Sequence, residues 1–462
     1  PPAALYRITN GVGHFYTREA SLELPAGEYE IVTMRGTEYR PDQRTFEITA
    51  GREFNLEITL SRWTNLAAQG WYSGENHVHA NYGYGAWYNT PETVFRQCLG
   101  EDLAVCNAVV ANSDGDGVYD REFFRGEPDS LSTSNNILYW NQEFRSTMWG
   151  HLTLSNLSQL VEPVFTGFLE TTNPWDVPTN GDIAGQTHDQ NGLVSYTHPA
   201  ANFLDLYDQP YAAKGLPVDA ALGRIDVMDV MGNTYKGSVL LWYKLLNCGI
   251  RIAASAGTDC FLNRVTSYPP GWGRTYVHLE DPLTYARWTE GEGRGRSFIT
   301  NGPALQLEVA GSVPGESVTL ERAGPVSVVA TARSHFAIEK LELVLDGRVV
   351  AKGEIDPDGR SGRLAATIEI GHSGWLALRA EGPPAPYVLR KGLYAHTNPV
   401  YLELGGAPPE PGADPAFFLR WIDRLEADFT KRSRVPTEAA RRHVLAQLES
   451  ARGYYRRLLP AP

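Results

Sequence analysis

Alternation of apolar and polar positions dominates the first part of the chain. Residues 20–33 (ASLELPAGEYEIVT) alternate around a Pro25–Gly27 turn, and residues 44–60 (RTFEITAGREFNLEITL) do so again around Ala50-Gly51. A period of two is that of strands with one covered face, so residues 1–66 are expected to form a small N-terminal β-sandwich. From Trp71 the texture changes. Thr90-Pro91 offers a capping hydroxyl followed by proline at the first helical position, and Val94, Phe95, Cys98 and Leu99 then share one helical face. Continuous apolar runs at 103–111, 192–199, 224–232 and 251–259 read as strands covered on both sides. Between the last two, GSVLLWYKLLNCG has helical periodicity and a stop at Gly249. Strands alternating with helices predict an α/β domain over residues 67–303, built on a parallel sheet or barrel.

After Asn301-Gly302-Pro303 the alternation returns. LQLEVAG, GPVSVVATA and the hairpin LELVLDGRVVAKGE, turning at Asp346-Gly347, predict a second β-sandwich over 304–404. The Gly/Pro-rich GGAPPEPGADPA opens a final segment, 405–462, with two amphipathic helices. One carries Phe417, Phe418, Trp421, Ile422 and Leu425; the other carries Val444, Leu445, Leu448, Tyr454 and Leu458. Such stripes need a partner surface, either the body of the protein or another subunit. A homo-oligomer through β or tail-helix surfaces is therefore expected.

A chain of 462 residues divides naturally into several domains. Its formal net charge of −13 argues against a nucleic-acid backbone as partner and favours a small-molecule substrate. No run approaches the roughly 18 apolar residues of a membrane span. The chain opens Pro1-Pro2 without methionine, which reads as a processed or truncated start and leaves periplasmic, secreted and cytoplasmic placements open. Cys98, Cys106, Cys248 and Cys260 lack CxxC spacing and read as buried, inert thiols.

The candidate chemistry is scattered along the central domain. In WYSGENHVH a strand projects His77 and His79 from the same face, and paired neutral imidazoles suit zinc, manganese or iron. Glu143 and His151 follow in NQEFRSTMWGHLTL, with Gly150 permitting close backbone approach. His198 and Asp259 each end an apolar strand, where α/β sheets and barrels place their active groups. A carboxylate there with no basic neighbour calls for a cation. Six donors ordered H-x-H, Glu, His, His, Asp form a much less accidental set than any pair.

That order and spacing resemble the PHP (polymerase and histidinol phosphatase) superfamily, and more closely its CehA/McbA branch of carbaryl-type carbamate hydrolases. The similar text is SGENHVHANYGYGAWYNTPETVFRQCLGEDLAVCNAVVAN, QEFRSTMWGHL, GLVSYTHP, LPVDAALGRIDVMDVMG, WYKLLNCGIRIAASAGTD and SFITNGP, spanning about residues 67–303. The resemblance implies a distorted (β/α)7 PHP-type barrel. It also implies one metal held by His77, His79, Glu143 and Asp259, with Glu143 bridging to a second held by His151 and His198. The stretches VVANSD and GTDCF lack the histidines that many PHP phosphoesterases use for a third metal, so one or two divalent transition ions are expected. The implied reaction is attack by a metal-bound hydroxide on a carbamate, ester or amide carbonyl, with Glu143 and Asp259 as catalytic groups. Tyr82, Tyr84, Trp87, Tyr88 and Trp149 are candidates to line a pocket for an aryl group, and Arg145 to contact substrate. The alternatives are a PHP-type phosphoesterase, with Arg145, Arg264 or Arg274 clamping phosphate, and an extracellular binding or scaffold protein. Asn112–Gly117 looks like the start of a calcium loop, but Phe123 stands where the bidentate Glu belongs, so it reads as a turn-rich loop at the site mouth.

Overall fold

The computed structural model of the protein describes residues 6–9, 12–83, 85–200, 205–207, 212–232, 235–264, 267–385 and 392–460. They form a mixed α/β structure with one large sheet and seven α-helices among the described residues. No described helix is long and apolar enough to cross a membrane.

The site-bearing part of the sheet uses nine strands: β1 (Trp71–His79), β2 (Val105–Asn112), β3 (Ile137–Ser146), β4 (Leu152–Ser155), β5 (Leu193–Tyr196), β6 (Val227–Met231), β7 (Ala253–Ala256), β8 (Arg274–His278) and β9 (Ser297–Thr300). β1, β2 and β3 run parallel, as do β5, β6 and β7. β4 lies antiparallel between β3 and β5, and β8 antiparallel between β1 and β9. Strict strand–helix alternation therefore holds only in part. Helices α1 (Pro91–Gly100), α2 (Asn180–His188), α3 (Leu216–Ala221), α4 (Tyr235–Asn247) and α5 (Tyr285–Gly293) fill most crossovers. β4, however, follows β3 through residues 147–151 alone, and so short a link permits only antiparallel neighbours.

The sheet curls until β7 faces β8 and β1. Its last edge is completed by side chains rather than by a ladder. Asn398 accepts from the Ala254 N–H at 2.6 Å and donates to the Ala254 carbonyl at 3.0 Å, while Thr275 Oγ1 accepts from the Ala256 N–H at 2.9 Å. A carboxamide thus stands in for a neighbouring strand.

The expected helix start at Thr90-Pro91 and stop at Gly249 are both in place, the latter with a positive φ of 76°. Thr90 contributes no side-chain cap. The turn before α1 is fixed instead by Asn81 and Asn89, each bonded to the other's backbone or to its neighbour's.

The N-terminal segment departs from a sandwich. Its described strands form two separate two-stranded sheets, Tyr6–Thr9 with Val12–Phe15 and Gly27–Thr33 with Asp42–Ile48. Residues 51–60 adopt no regular strand, and Phe54 lies half exposed against Phe46. Among the described residues no second layer covers these strands; the segment is tied to the body by buried Glu38, which accepts from Arg62, the Leu66 N–H and Tyr276. Beyond β9 two sheet layers do face each other across Leu305, Leu307, Val328, Leu364, Leu376 and Leu402. One of them continues the main sheet, because β9 pairs with Gly392–Thr397, so no break in the sheet follows residue 303.

Helices α6 (Asp414–Arg432) and α7 (Glu438–Arg457) pack on the body. Phe418, Ile422, Leu425, Phe429, Val444, Leu448 and Tyr455 are all buried. Trp421 Nε1 donates to the Lys214 carbonyl and Tyr455 to that of Pro217. The stripes that suggested an oligomer are thus covered by the chain's own surface. Cys98 and Cys106 are joined as a disulfide, where spacing had suggested four thiols; Cys248 and Cys260 are buried.

Since Phe418 is fully buried in this interface, Phe418→Ala is expected to cost about 3–5 kcal/mol, as for other buried Phe truncations, measured by denaturant unfolding of the full chain.

Candidate metal centre

Six side chains from different elements meet at one end of the curled sheet. His77 and His79 come from β1, and their Nε2 atoms lie 3.0 Å apart. Glu143 is in β3, His151 stands just before β4, His198 two residues after β5, and Asp259 beyond β7. Their donor atoms fall into two groups, His77–His79–Asp259 and Glu143–His151–His198, with the atoms of each group within 4.8 Å of one another. Asp259 Oδ1 faces both His77 and His79, at 3.5 and 3.3 Å. Glu143 joins the groups. Its Oε1 lies 3.5 Å from His77 Nε2, 3.0 Å from His151 Nδ1 and 3.9 Å from His198 Nε2, and its Oε2 is 3.4 Å from His79 Nε2.

Access is one-sided. The side chains of His77, His79, Glu143 and His151 are almost wholly covered, whereas those of His198 and Asp259 keep 22% and 27% of their surface exposed. These two rim residues also hold left-handed backbone, φ +30° and +52°. Non-glycine residues take that conformation at a cost of about 1–3 kcal/mol, so the fold supports strain where it aims two donors.

Burial and charge oppose each other throughout. Burial lowers His77, but the facing Asp259 and Glu143 carboxylates overcome it and raise it to about 10. Burial also raises Glu143, yet the His77 and His151 imidazoles hold it well below the ordinary carboxylate range. Asp259 is lowered likewise, by His77 and its bond to His79. His151 is pushed down to about 4 and His79 is also lowered, in both cases mainly by burial. Two carboxylates held in the charged form within 3.0–3.9 Å of imidazole nitrogens form a cation-seeking set. Imidazole with carboxylate is the donor chemistry of zinc, manganese and iron, so these residues fit a divalent ion.

Two further acids brace the cluster, and neither was among the residues expected from sequence. A register shift between Glu75 and Val78 takes the His77 N–H off the ladder. Glu75 accepts that N–H at 3.0 Å together with the N–H groups of Thr258 at 2.7 Å and Gly271 at 2.8 Å, and also accepts from the Thr258 hydroxyl. It therefore fixes His77 relative to the Asp259 loop. Asp229, in β6, is buried behind His77 and raised to about 6 by burial, with His77 opposing. Both acids sit in text that otherwise reads as buried strand, SGENHVH and VMDVM; an acid in such a run needs a partner, and that rule identifies them.

Below this layer the sheet interior is polar. Asn107 donates to Asn76 Oδ1, Asn141 to Asn107 Oδ1, and Asn76 to Glu292 Oε1 and Ser255 Oγ, all within 2.8 Å and buried. Burial raises Glu292 to about 8, its Ser255 and Asn76 bonds opposing.

The expected substrate contacts divide. Arg145, two residues beyond Glu143, is buried; it donates to the Asn112 carbonyl, pairs with Asp114 at 3.0 Å and lies over Tyr82 and Phe168. Tyr82 packs against His79 at 4.9 Å and Phe261 at 4.6 Å, an aromatic wall beside the donors. Trp87 is half-buried and Tyr88 exposed in the loop before α1. Tyr84 lies outside the described residues. Trp149 turns into the tail interface, against Phe429 and with its indole N–H on the Asp176 carbonyl. Arg274 is buried on backbone carbonyls of Gly271 and Glu101, and Arg264 lies at the Phe261 ring. In the loop resembling a calcium site, Asp120 accepts from Asn81, Asp116 from Thr172, and Asp114 pairs with Arg145.

No protein-family model matches the sequence, and no curated protein matches it. Among solved structures the chain is similar to PsfC from Pseudomonas syringae PB-5123 (10% identity, 47% of this chain and 87% of that one, TM-score 0.32). It is also similar to the lesion-specific endonuclease PfuEndoQ from Pyrococcus furiosus (12% identity, 49% and 57%, TM-score 0.36). A third is endonuclease Q in complex with a 27-mer duplex carrying an abasic lesion (13% identity, 49% and 58%, TM-score 0.34). The chain thus spans little more than half of either endonuclease structure. Likenesses this weak assign neither activity nor substrate.

Two outcomes are expected. Zinc or manganese raises Tm of the purified chain with the logarithm of the ligand excess, less so as pH falls through the imidazole range because the donors must be deprotonated; His77→Ala removes the rise. Glu292 binds a proton in the folded state between its ordinary value and about 8, so stability from this group is present at low pH and lost as pH rises through about 8. Glu292→Gln is therefore expected to raise Tm by a few degrees at about pH 9, by less at about pH 6, and to change it little at about pH 4, as read by calorimetry.

Proposed function

We propose that the protein is a metal-dependent hydrolase of PHP type, akin to the CehA/McbA carbamate hydrolases, acting on a carbamate, ester or amide of an aryl-bearing small molecule. The observation that carries this reading is the position of Glu143, whose two oxygens face imidazoles of both donor groups. His77, His79 and Asp259 would hold one ion and His151 and His198 another, with Glu143 between them. A divalent ion there supplies a Lewis acid and acidifies a bound water.

The chain's own groups would do the remainder. Asp259 presents the cluster's accessible carboxylate at the rim and is placed to accept a proton from the attacking water. Tyr82 and Phe261 would offer an apolar face to an aryl group beside the donors. A phenolic leaving group needs little acid assistance. The net charge of −13 favours a neutral small molecule over a polyanion.

One observation favours a second reading. The buried Arg145 guanidinium, on the same strand as Glu143, could receive an anionic group in exchange for Asp114; this would suit a phosphoesterase. Parallel assay of naphthyl acetate, a naphthyl carbamate and p-nitrophenyl phosphate with added zinc or manganese decides between them. The ester or carbamate is expected to turn over fastest, with loss of about 100-fold or more in Glu143→Gln. Preference for the phosphate would select the second reading. Inertness of a metal-loaded sample toward all three would reject both and leave a binding protein.

A further inference from the structure

Among the described residues, two of the buried polar atoms near the metal centre that lack a hydrogen-bond partner are chemically complementary. Asp229 is 2% exposed and His77 fully buried. Asp229 Oδ1 accepts from Ser195 Oγ at 3.1 Å, and Ser255 also lies beside the carboxyl; among the described residues neither Oδ2 of Asp229 nor Nδ1 of His77, the ring nitrogen turned away from the other donors, makes a hydrogen bond of ordinary geometry. An unpaired buried acceptor and an unpaired buried donor each cost about 1–3 kcal/mol, so their coincidence in one place needs a reason.

Gly257 shows how close they are. A Cβ at this position would lie 2.4 Å from Asp229 Oδ2 and 3.0 Å from His77 Cβ. The carboxylate and the base of the imidazole thus border the same small gap, kept open because residue 257 has no side chain. Asp229 is also electrostatically linked to His198. Its strand register places it opposite Ser255, with an irregularity immediately after, between Asp229 and Met231.

We propose that Asp229 is a positioning residue for His77, accepting the Nδ1–H when Nε2 holds a metal. This inference rests on the metal-centre reading. An imidazole whose far nitrogen donates to a carboxylate is locked in one tautomer and made a better donor through the other nitrogen; loss of such a partner typically weakens metal binding about 10–100-fold. Ser195 would hold the carboxylate in place through its second oxygen.

The test uses the full chain, zinc as probe, and the variants Asp229→Asn and Asp229→Ala. Calorimetric titration is expected to give zinc affinity about 10–100-fold weaker for Asp229→Ala and an intermediate loss for Asp229→Asn, which keeps an acceptor but not the charge. Proton NMR of zinc-loaded wild type is expected to show a slowly exchanging, downfield imidazole N–H, shifted in Asp229→Asn and missing from Asp229→Ala. A merely structural role for Asp229 would not produce that resonance. Wild-type zinc binding with no such proton, or variants within about threefold of wild-type affinity, overturns the inference. If Asp229→Ala does not fold, the wild-type and Asp229→Asn spectra still decide. Absence of zinc binding by wild type would instead overturn the metal-centre reading itself.

Discussion

Two carboxylates and four imidazoles share a space from which water is largely excluded, and their charges are tolerable only in one another's company. Glu143 alone would be neutralised by its burial, and His77 alone would lose its proton. Facing each other across 3.5 Å, each is driven to its charged form. In the metal-centre reading, the proton on His77 occupies the electrostatic place a divalent ion would take. The backbone conforms to this constraint, with His198 and Asp259 held in left-handed conformations to complete the ring of donors.

The rest of the fold can be understood as support for that arrangement. Glu75 secures the irregular backbone at His77 to the loop bearing Asp259, and the Glu292–Asn76–Asn107–Asn141 chain fills the curled sheet below with bonded amides in place of apolar packing. Apolar burial is displaced outward, between the sheet and the helices that cover it. The tail belongs to this outer layer and also reaches the mouth. Arg434 donates to the carbonyls of Gly167 and Pro174, its N–H donates to the Asp176 carboxylate and its carbonyl accepts from the Asp176 N–H, holding the segment that places Phe168 over Arg145. A segment that the sequence presents as an appendage thereby helps to shape the entrance.

The candidate donors were legible because each sits at a sharp change of pattern. His198 and Asp259 close apolar strands, and the H-x-H spacing puts two imidazoles on one face. The helix stop at Gly249 and the hairpin at Asp346-Gly347 were equally local signals. What escaped depended on distant partners. The alternation of residues 20–60 predicts strands but not whether a second layer exists to cover them. Trp149 is a candidate pocket aromatic in the sequence, yet its partner Phe429 lies in the tail. Asn398 completes a strand edge from the other end of the chain, and the Cys98–Cys106 disulfide links a helix to a strand. Local periodicity carries no record of such pairings.

The most direct test of the central claim is a crystal of the full chain grown with manganese or zinc and measured at the metal's absorption edge. Anomalous density is predicted among His77, His79 and Asp259, among Glu143, His151 and His198, or at both, with Glu143 between the two positions. A well-ordered crystal with no anomalous density there, or with metal bound only elsewhere on the surface, would contradict the account.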